Sequence, residues 1–344
     1  MRRLSSAARW LLAIAWLALG AGCIRSSESE VVVYTALDKE FSSPILDQFA
    51  AETGIRVRPR FDVESTKTVG LTQAIIAEGV RPRCDVFWNN EILNTLRLEE
   101  RGLLESYRPK MAESYPAMYR SPDGTWHGFA GRARVLIVNT DLVAESDRPT
   151  SIYDLADPRW RGRCGIAKPL FGTTATHAAC LFAHLGDEEA RQYFRDLKAN
   201  DVQILAGNKQ VALSVAGGQL AFGLTDTDDA IIELENGHPV ALVYPDREAD
   251  QLGTLFIPNT LAIIKGCRHP EQARRLVDFL LTPEVEARLA RSPSAQIPLH
   301  EGAALELRVE TPSTIKAMQV DFASAARQWD TAAAFIRDEF FRAD

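Results

Sequence analysis

The sequence predicts an α/β protein of two lobes, each a mostly parallel sheet flanked by helices and joined to the other by crossing strands. Three observations carry that expectation. At 344 residues, the chain holds about two domains of ordinary size. Apolar strand-like runs alternate with helical patterns over almost the whole length, as parallel sheets with helices on both faces require. No internal repeat, low-complexity stretch or Pro/Gly linker separates the two series, so the chain is expected to pass between lobes along strands.

The elements follow in order. Val31 to Thr35 (VVVYT) is a continuous apolar run, expected of a strand covered on both faces. Ser42-Ser43-Pro44 offers a cap and then proline at the first helical position. Ile45, Leu46, Phe49 and Ala50 recur at helical spacing, and Gly54 is placed to end that helix. Ile55, Val57, Pro59 and Phe61 alternate as a second strand. A helix is expected over 68–77, a strand over 84–88 and a helix over 92–100. A second series starts near Arg134, with strands expected over 135–139, 165–167, 202–205 and 220–224. Its helices are expected over 174–185, 188–199, 209–216 and 228–236. A strand over 255–264 and helices over 270–281, 283–290 and 314–341 complete the pattern. The expected division is 31–130 plus 257–310 for one lobe and 131–256 for the other, with 311–344 a helical segment packing on both.

Composition narrows the function. Hydrophobic residues are 46% and charged residues 25%, which is ordinary for a globular chain. A formal net charge of -7 argues against nucleic acid as a partner, since phosphate backbones need a basic surface. A mean hydropathy of -0.13 excludes a polytopic membrane protein. The motifs G-x-S-x-G, H-E-x-x-H and G-x-x-x-x-G-K-[ST] are missing, as is a G-x-G-x-x-G after the first strand.

Arg2, Arg3 and Arg9 precede an uncharged run from Trp10 to Leu19, too short to span a bilayer as a helix. Gly20-Ala21-Gly22-Cys23 follows. Residues 1–23 therefore read as an export signal that resembles a bacterial lipoprotein signal, with Cys23 the residue to carry lipid. Leu19 stands four places before Cys23, where the usual pattern has three. Residues 24–30 would be a short polar tether. Removing residues 1–22 takes away three arginines and no acid, which moves the net charge from -7 to -10. Cys84, Cys164, Cys180 and Cys267 lack C-x-x-C spacing, so zinc and thioredoxin-type chemistry are not expected. They are either two disulfides or small buried hydrophobes.

Several segments could bind a ligand. Ser65-Thr66-Lys67-Thr68 lies between a strand and a helix, where free N–H groups, hydroxyls and an ammonium suit an anion. Gly172-Thr173-Thr174 repeats the arrangement in the second half. Both also serve as ordinary caps. Arg132 and Arg134 share one face of an expected interlobe strand, and arginine is suited to bidentate contact with carboxylate or phosphate. One of the two is expected in a surface ion pair instead. Asp226, Asp228 and Asp229 crowd the end of a strand, where they would suit an amine or a hard metal. The alternative is that one caps the next helix and another favours its dipole. Asn90, Glu91 and Asn259 are expected to face a cleft, or else to do turn chemistry. His127 and His177 are the histidines nearest these segments.

Taken in sequence, VVVYTALD (31–38), FAAETGI (49–55), CDVFWNNE (84–91), RVLIVNT (134–140), DLADPRWRGR (154–163), GLTDTDDA (223–230), LFIPNTLAIIKG (255–266) and SPSAQIPL (292–299) resemble the periplasmic solute-binding proteins of the ferric-iron family, part of ABC importers. The resemblance runs from about Val31 to Phe341. It implies a type II periplasmic-binding fold whose lobes close on ligand about a hinge. It implies a receptor that serves a permease and its ATPase. The partners are then a small-molecule or metal ligand and a membrane reached only through the lipid anchor. A monomer without nucleic acid is expected. No cofactor is implied, Fe(III) being cargo. Iron-binding members use neighbouring tyrosines from the second lobe, often with a histidine near the first strand. Here Asp226-Thr227-Asp228-Asp229 stands at the tyrosine position, and Tyr34 to Asp38 contains no histidine. Asp226 and Asp228 would then be the metal ligands. Ser65-Thr66, Gly172-Thr173-Thr174 and an interlobe arginine match where such proteins hold a carbonate, a phosphate or a phosphorylated ligand.

Two ligands follow, ferric iron with a synergistic anion or a phosphorylated or phosphonate compound whose amine the aspartates hold. An exported hydrolase built on the aspartates and His177 is a competing reading, as is a module that signals to a membrane sensor. On the receptor reading, Thr173→Ala and Arg134→Ala should weaken anion binding with little loss of fold.

Overall fold

The computed structural model describes residues 29–62, 68–300 and 307–342. The expected export signal with Cys23, most of the expected tether, and Ser65, Thr66 and Lys67 lie outside the described residues.

The chain opens with β1 (Glu30–Thr35), α1 (Lys39–Thr53) and β2 (Arg56–Phe61). It continues through α2 (Val69–Glu78), β3 (Val86–Asn89) and α3 (Leu93–Glu100). β2, β1 and β3 are parallel neighbours, as the β-α-β pattern predicts. After the short β4 (Leu104–Glu105) comes β5 (His127–Asn139), every residue of which is buried. The second parallel group is built from β6 (Cys164–Ala167), α4 (Gly172–Leu185), α5 (Asp187–Ala199), β7 (Gln203–Leu205), α6 (Asn208–Ala216), β8 (Phe222–Asp226) and α7 (Thr227–Glu235). β6 lies between β7 and β8, parallel to both. β9 (Val240–Val243) and β10 (Phe256–Ile264) follow, then α8 (Pro270–Leu280), α9 (Pro283–Arg291) and α10 (Phe322–Phe341).

The two parallel groups meet through antiparallel strands. The sheet order is β2-β1-β3-β10-β5-β8-β6-β7, with β4 on β10 and β9 on β5. The first half of β5, from His127 to Ala133, pairs with β10, and its second half, from Arg134 to Val138, pairs with β8. One strand thus belongs to both halves, and the changeover falls between Ala133 and Arg134. At the junction of β6 and β8, Gly165 stands opposite Gly223. A Cβ on Gly223 would meet the Gly165 carbonyl oxygen at 2.8 Å and Val211 Cγ1 at 2.5 Å, so α6 packs closely over bare backbone there.

α10 ties the halves together from outside. Phe322, Ala325, Ala326, Trp329, Ala332 and Ile336 form its buried stripe at helical spacing. The Arg97 guanidinium of α3 lies 5.2 Å from the Trp329 ring centre and 3.1 Å from Asp330 Oδ1. On the other half, Lys198 Nζ of α5 reaches Glu339 Oε1 at 3.2 Å.

Two helix starts differ from expectation. α1 begins at Lys39, a turn before Ser42-Ser43-Pro44, so Pro44 lies inside the helix and Ser42 bonds back to the carbonyls of Leu37 and Asp38. α10 begins at Phe322, not near Thr314, because Asp321 accepts from the Ala323 and Ser324 amides and sets the cap. Gly54 ends α1 as expected, at φ 69° with its N–H on the Ala50 carbonyl. The four described cysteines are all free thiols, and Cys84, Cys164 and Cys180 are buried, so the small-hydrophobe alternative holds.

Candidate functional site

A cleft lies where the C-terminal ends of β1, β3, β6 and β8 converge. Asp38 reaches it from the end of β1 and Asn90 from the end of β3. Lys168 follows β6, and Gly172, Thr173 and Thr174 open α4. Asp226, Asp228 and Asp229 enter from β8 and α7, and Arg132 comes from the crossing strand β5. Ligand sites sit at strand C-terminal ends because helix N-termini and short loops collect there.

The arginines are both buried, which corrects the expected surface ion pair. Arg134 is fully covered. Its Nη1 donates to Asp226 Oδ1 at 2.6 Å, Thr173 Oγ1 at 3.2 Å and Asn208 Oδ1 at 3.1 Å, and its Nη2 donates to Thr174 Oγ1 at 3.2 Å. Asp226 Oδ2 takes Thr173 Oγ1 at 2.5 Å and Asn208 Nδ2 at 2.9 Å. Asp226 occupies the N-cap position of α7 without capping it, because its carboxylate turns to Arg134. Both Asp226 oxygens are thus engaged by the protein, and a metal at Asp226 would share them with Arg134, Thr173 and Asn208.

Arg132 is different. Its Nη1 lies 2.9 Å from Asp228 Oδ2 and 3.9 Å from Asp226 Oδ2. Its Nε and Nη2 have no hydrogen-bond partner among the described residues, although the side chain is 2% exposed. Burial alone would depress its pKa. The carboxylates of Asp228, Asp226, Asp38 and Asp229 outweigh that and raise it, so Arg132 keeps its charge. A buried, charged, half-satisfied guanidinium on a cleft wall is placed to grip an anion. Asn90, 2% exposed, likewise has its Oδ1 without a partner.

Other expected residues do structural work. The Glu91 carboxylate accepts from the Leu93 amide at 2.6 Å, the Asn94 amide at 3.0 Å, Asn89 Nδ2 at 2.7 Å and Thr176 Oγ1 at 2.8 Å. It caps α3 and links it to α4, and it does not line the cleft. Glu91→Ala should cost about 2–3 kcal/mol in urea unfolding, since several buried donors lose their acceptor at once. Affinity for a cleft ligand should change less than tenfold. Asn259 sits within β10, where its Nδ2 donates to the Ala130 carbonyl and to Gln296 Oε1. That holds the backbone of β5 at Ala130, whose φ is 43°, and Asn259 too is off the cleft.

His127 bonds the Tyr107 carbonyl at 2.9 Å, away from the cleft. His177 faces the apolar interior beneath α4, among Leu181, Tyr193 and Leu224. Burial, with the Arg134 charge adding to it, pushes its pKa down to about 3. A neutral histidine in the core cannot serve a cleft-based hydrolase. Because its folded pKa lies below the unfolded value, its contribution is fully present above about pH 6.5 and is lost as pH falls toward 3. Wild type should therefore lose up to about 1.4 kcal/mol per pH unit relative to His177→Gln in that window. Urea titrations at several pH values check this.

Sequence reasoning passed over Asp38, Lys168 and Asn208, all of which line the cleft. Asn208 hides as the first residue of α6, with no charge or motif to mark it. Asp38 lay inside a quoted segment and carried a signal, an acid just after the first strand.

The fold and cleft describe a two-lobed receptor for a small solute. The family model described as "Bacterial extracellular solute-binding protein" matches residues 92–326, and the chain belongs to that family. Proteins of this family are transport receptors, not enzymes, and work with ABC transporters on iron or small anions. The chain is 26% identical to iron uptake protein A1 of Synechocystis over 84% of its length and 83% of the relative's. It is 24% identical to the major ferric iron-binding protein of Neisseria meningitidis, with 85% and 87% covered. The iron-bound HitA of Pseudomonas aeruginosa superposes with a TM-score of 0.82 at 25% identity, over 91% of this chain and all of that one. No described helix is long and apolar enough to cross a membrane.

Proposed function

We propose that the chain is an exported receptor of an ABC importer, held to the membrane by lipid on Cys23. Its cleft captures a small solute by a phosphate or phosphonate group. The observation that carries this reading is Arg132, buried and charged on the cleft wall with two guanidinium nitrogens unsatisfied. It works with the N-terminus of α4, where Gly172 has φ 57° and the first amides of the helix lie beside the same cleft. Asp228, Asp229 and Asp38 supply acceptors for an amine or hydroxyls on the rest of the solute. Residues 131–256 close against 31–130 and 257–310 about β5 and β10, and the buried ligand stabilises the closed form.

Ferric iron with a synergistic anion is the second reading. It is supported by the relatives' names and by carboxylate oxygens of Asp226, Asp228 and Asp229 that lie within 4.8 Å of one another. Against direct phenolate ligation, none of the seven tyrosines lines the cleft. A thermal-shift panel of sugar phosphates, aminoalkylphosphonates and Fe(III) with carbonate or citrate separates the readings. A ligand at 100 times its Kd adds about 2.7 kcal/mol of stability. A shift with a phosphorylated or phosphonate compound alone supports the first reading. A shift only with Fe(III) and anion supports the second, and no shift with any of them counts against both.

A further inference from the structure

Arg81, Arg83 and Arg268 line one depression on the outer surface, together with Ala74, Ala77 and Glu78. All three arginines are exposed, and their side chains have no ion pair or hydrogen bond among the described residues. Their backbone is nonetheless fixed. The Arg268 amide donates to the buried Asp85 carboxylate at 2.9 Å, and the Arg83 amide donates to Glu78 Oε2 at 2.8 Å. Beside them, on the turn after α2, Val80 is 98% exposed. An apolar tip among unpaired cations suits a headgroup layer.

The register places this patch. Val33 of β1 pairs with Val86 of β3, and Val86 pairs with Ile263 of β10. Arg81 and Arg83 precede β3 and Arg268 follows β10, so all three stand at the end of the sheet where β1 begins. Asp38 and Asn90, at the opposite ends of β1 and β3, belong to the cleft. The patch is therefore remote from the ligand and adjacent to the point where the chain enters the fold. Ser29 is fastened there, its carbonyl accepting from the Arg56 amide at 2.8 Å and its Oγ from Gln272 Nε2 at 3.0 Å. Six peptide steps separate Cys23 from Ser29, a reach of at most about 20 Å.

We propose that this basic surface rests on anionic phospholipid headgroups, which holds the cleft end of the receptor outward toward solute. A chain of net charge -10 once residues 1–22 are removed would otherwise be repelled by such a surface. The inference rests on the exported, membrane-side reading of the chain and is independent of which ligand the cleft takes.

The test uses the full chain as a producing bacterium exports it. It is mixed with vesicles of phosphatidylcholine, or with vesicles in which a third of that lipid is phosphatidylglycerol. Any attached lipid contributes to both, so the difference reports the patch. Partition to the anionic vesicles should be about tenfold higher at low salt, and the excess should vanish at high salt. Arg81→Glu/Arg83→Glu/Arg268→Glu should abolish the excess, and Arg81→Gln/Arg268→Gln should reduce it, with melting temperature and cleft-ligand thermal shift unchanged. Equal partition to the two vesicle types overturns the proposal, as does an excess that survives charge reversal. If charge reversal stops solute uptake while vesicle partition stays the same, the partner is an acidic protein surface and the lipid reading is overturned. A failed cleft-ligand shift in wild type would count against the receptor's ligand, not against this surface.

Discussion

Arg134→Ala is expected to destabilise the protein by about 3–5 kcal/mol, measured by urea unfolding. The side chain is fully buried, and its loss would leave Asp226 buried without its cation. Thr173, Thr174 and Asn208 would lose the donor that fixes them as well. This reverses the expectation from sequence, which gave Arg134→Ala a binding defect and an intact fold. The reason is geometric, because Asp226, Thr173, Thr174 and Asn208 take up the Arg134 guanidinium, and Arg134 does not line the cleft. Asp226→Asn should show a comparable loss, and the double variant Arg134→Met/Asp226→Leu should recover much of it, since removing both charges removes the penalty of an unpaired one. A loss under about 1 kcal/mol in Arg134→Ala would mean that the pair is solvated and that this account of the site's floor is wrong.

Arg132→Lys is expected to raise the Kd of the cleft ligand about 100-fold, or about 2.7 kcal/mol, with little change in stability. Lysine keeps a positive charge opposite Asp228, but it cannot present the Nε and Nη2 donors, which have no hydrogen-bond partner among the described residues. Isothermal titration, with the ligand taken from the thermal-shift panel, measures the effect. A Kd within threefold of wild type would remove Arg132 from the binding surface. Together these two outcomes would separate the neighbouring arginines by role, one holding the wall up and the other binding the solute.

Alternation in sequence made Arg132 and Arg134 visible as a pair on one strand face, yet it could not divide their tasks. The division comes from β5 changing partners between Ala133 and Arg134, which puts Arg134 beside Asp226 of β8. Glu91 looked like a cleft residue because it stands near an expected strand end, and Asn259 because its amide follows the apolar run Leu255 to Pro258. Buried amides and hydroxyls claimed their side chains instead, a requirement that depends on what packs around a residue and not on its neighbours in sequence. Thr173 was legible as a hydroxyl at a helix start, but its partner Asn208 lies far along the chain and has no motif. The crowded aspartates were legible as a charge problem. Its solution was not, since the cations that neutralise them arrive from another strand.

The sequence by itself determined the alternation of strands and helices, the two series and the identity of the anion-binding candidates. These are local patterns of period, capping and charge, and each can be read without knowing what lies across the fold. Only the tertiary structure decided which candidates meet, which are consumed by burial, and that the metal-like cluster at 226–229 is already held by two arginines. Burial is the physical reason: once a charge or donor leaves water, it takes the nearest partner the fold supplies, and that partner is set by topology.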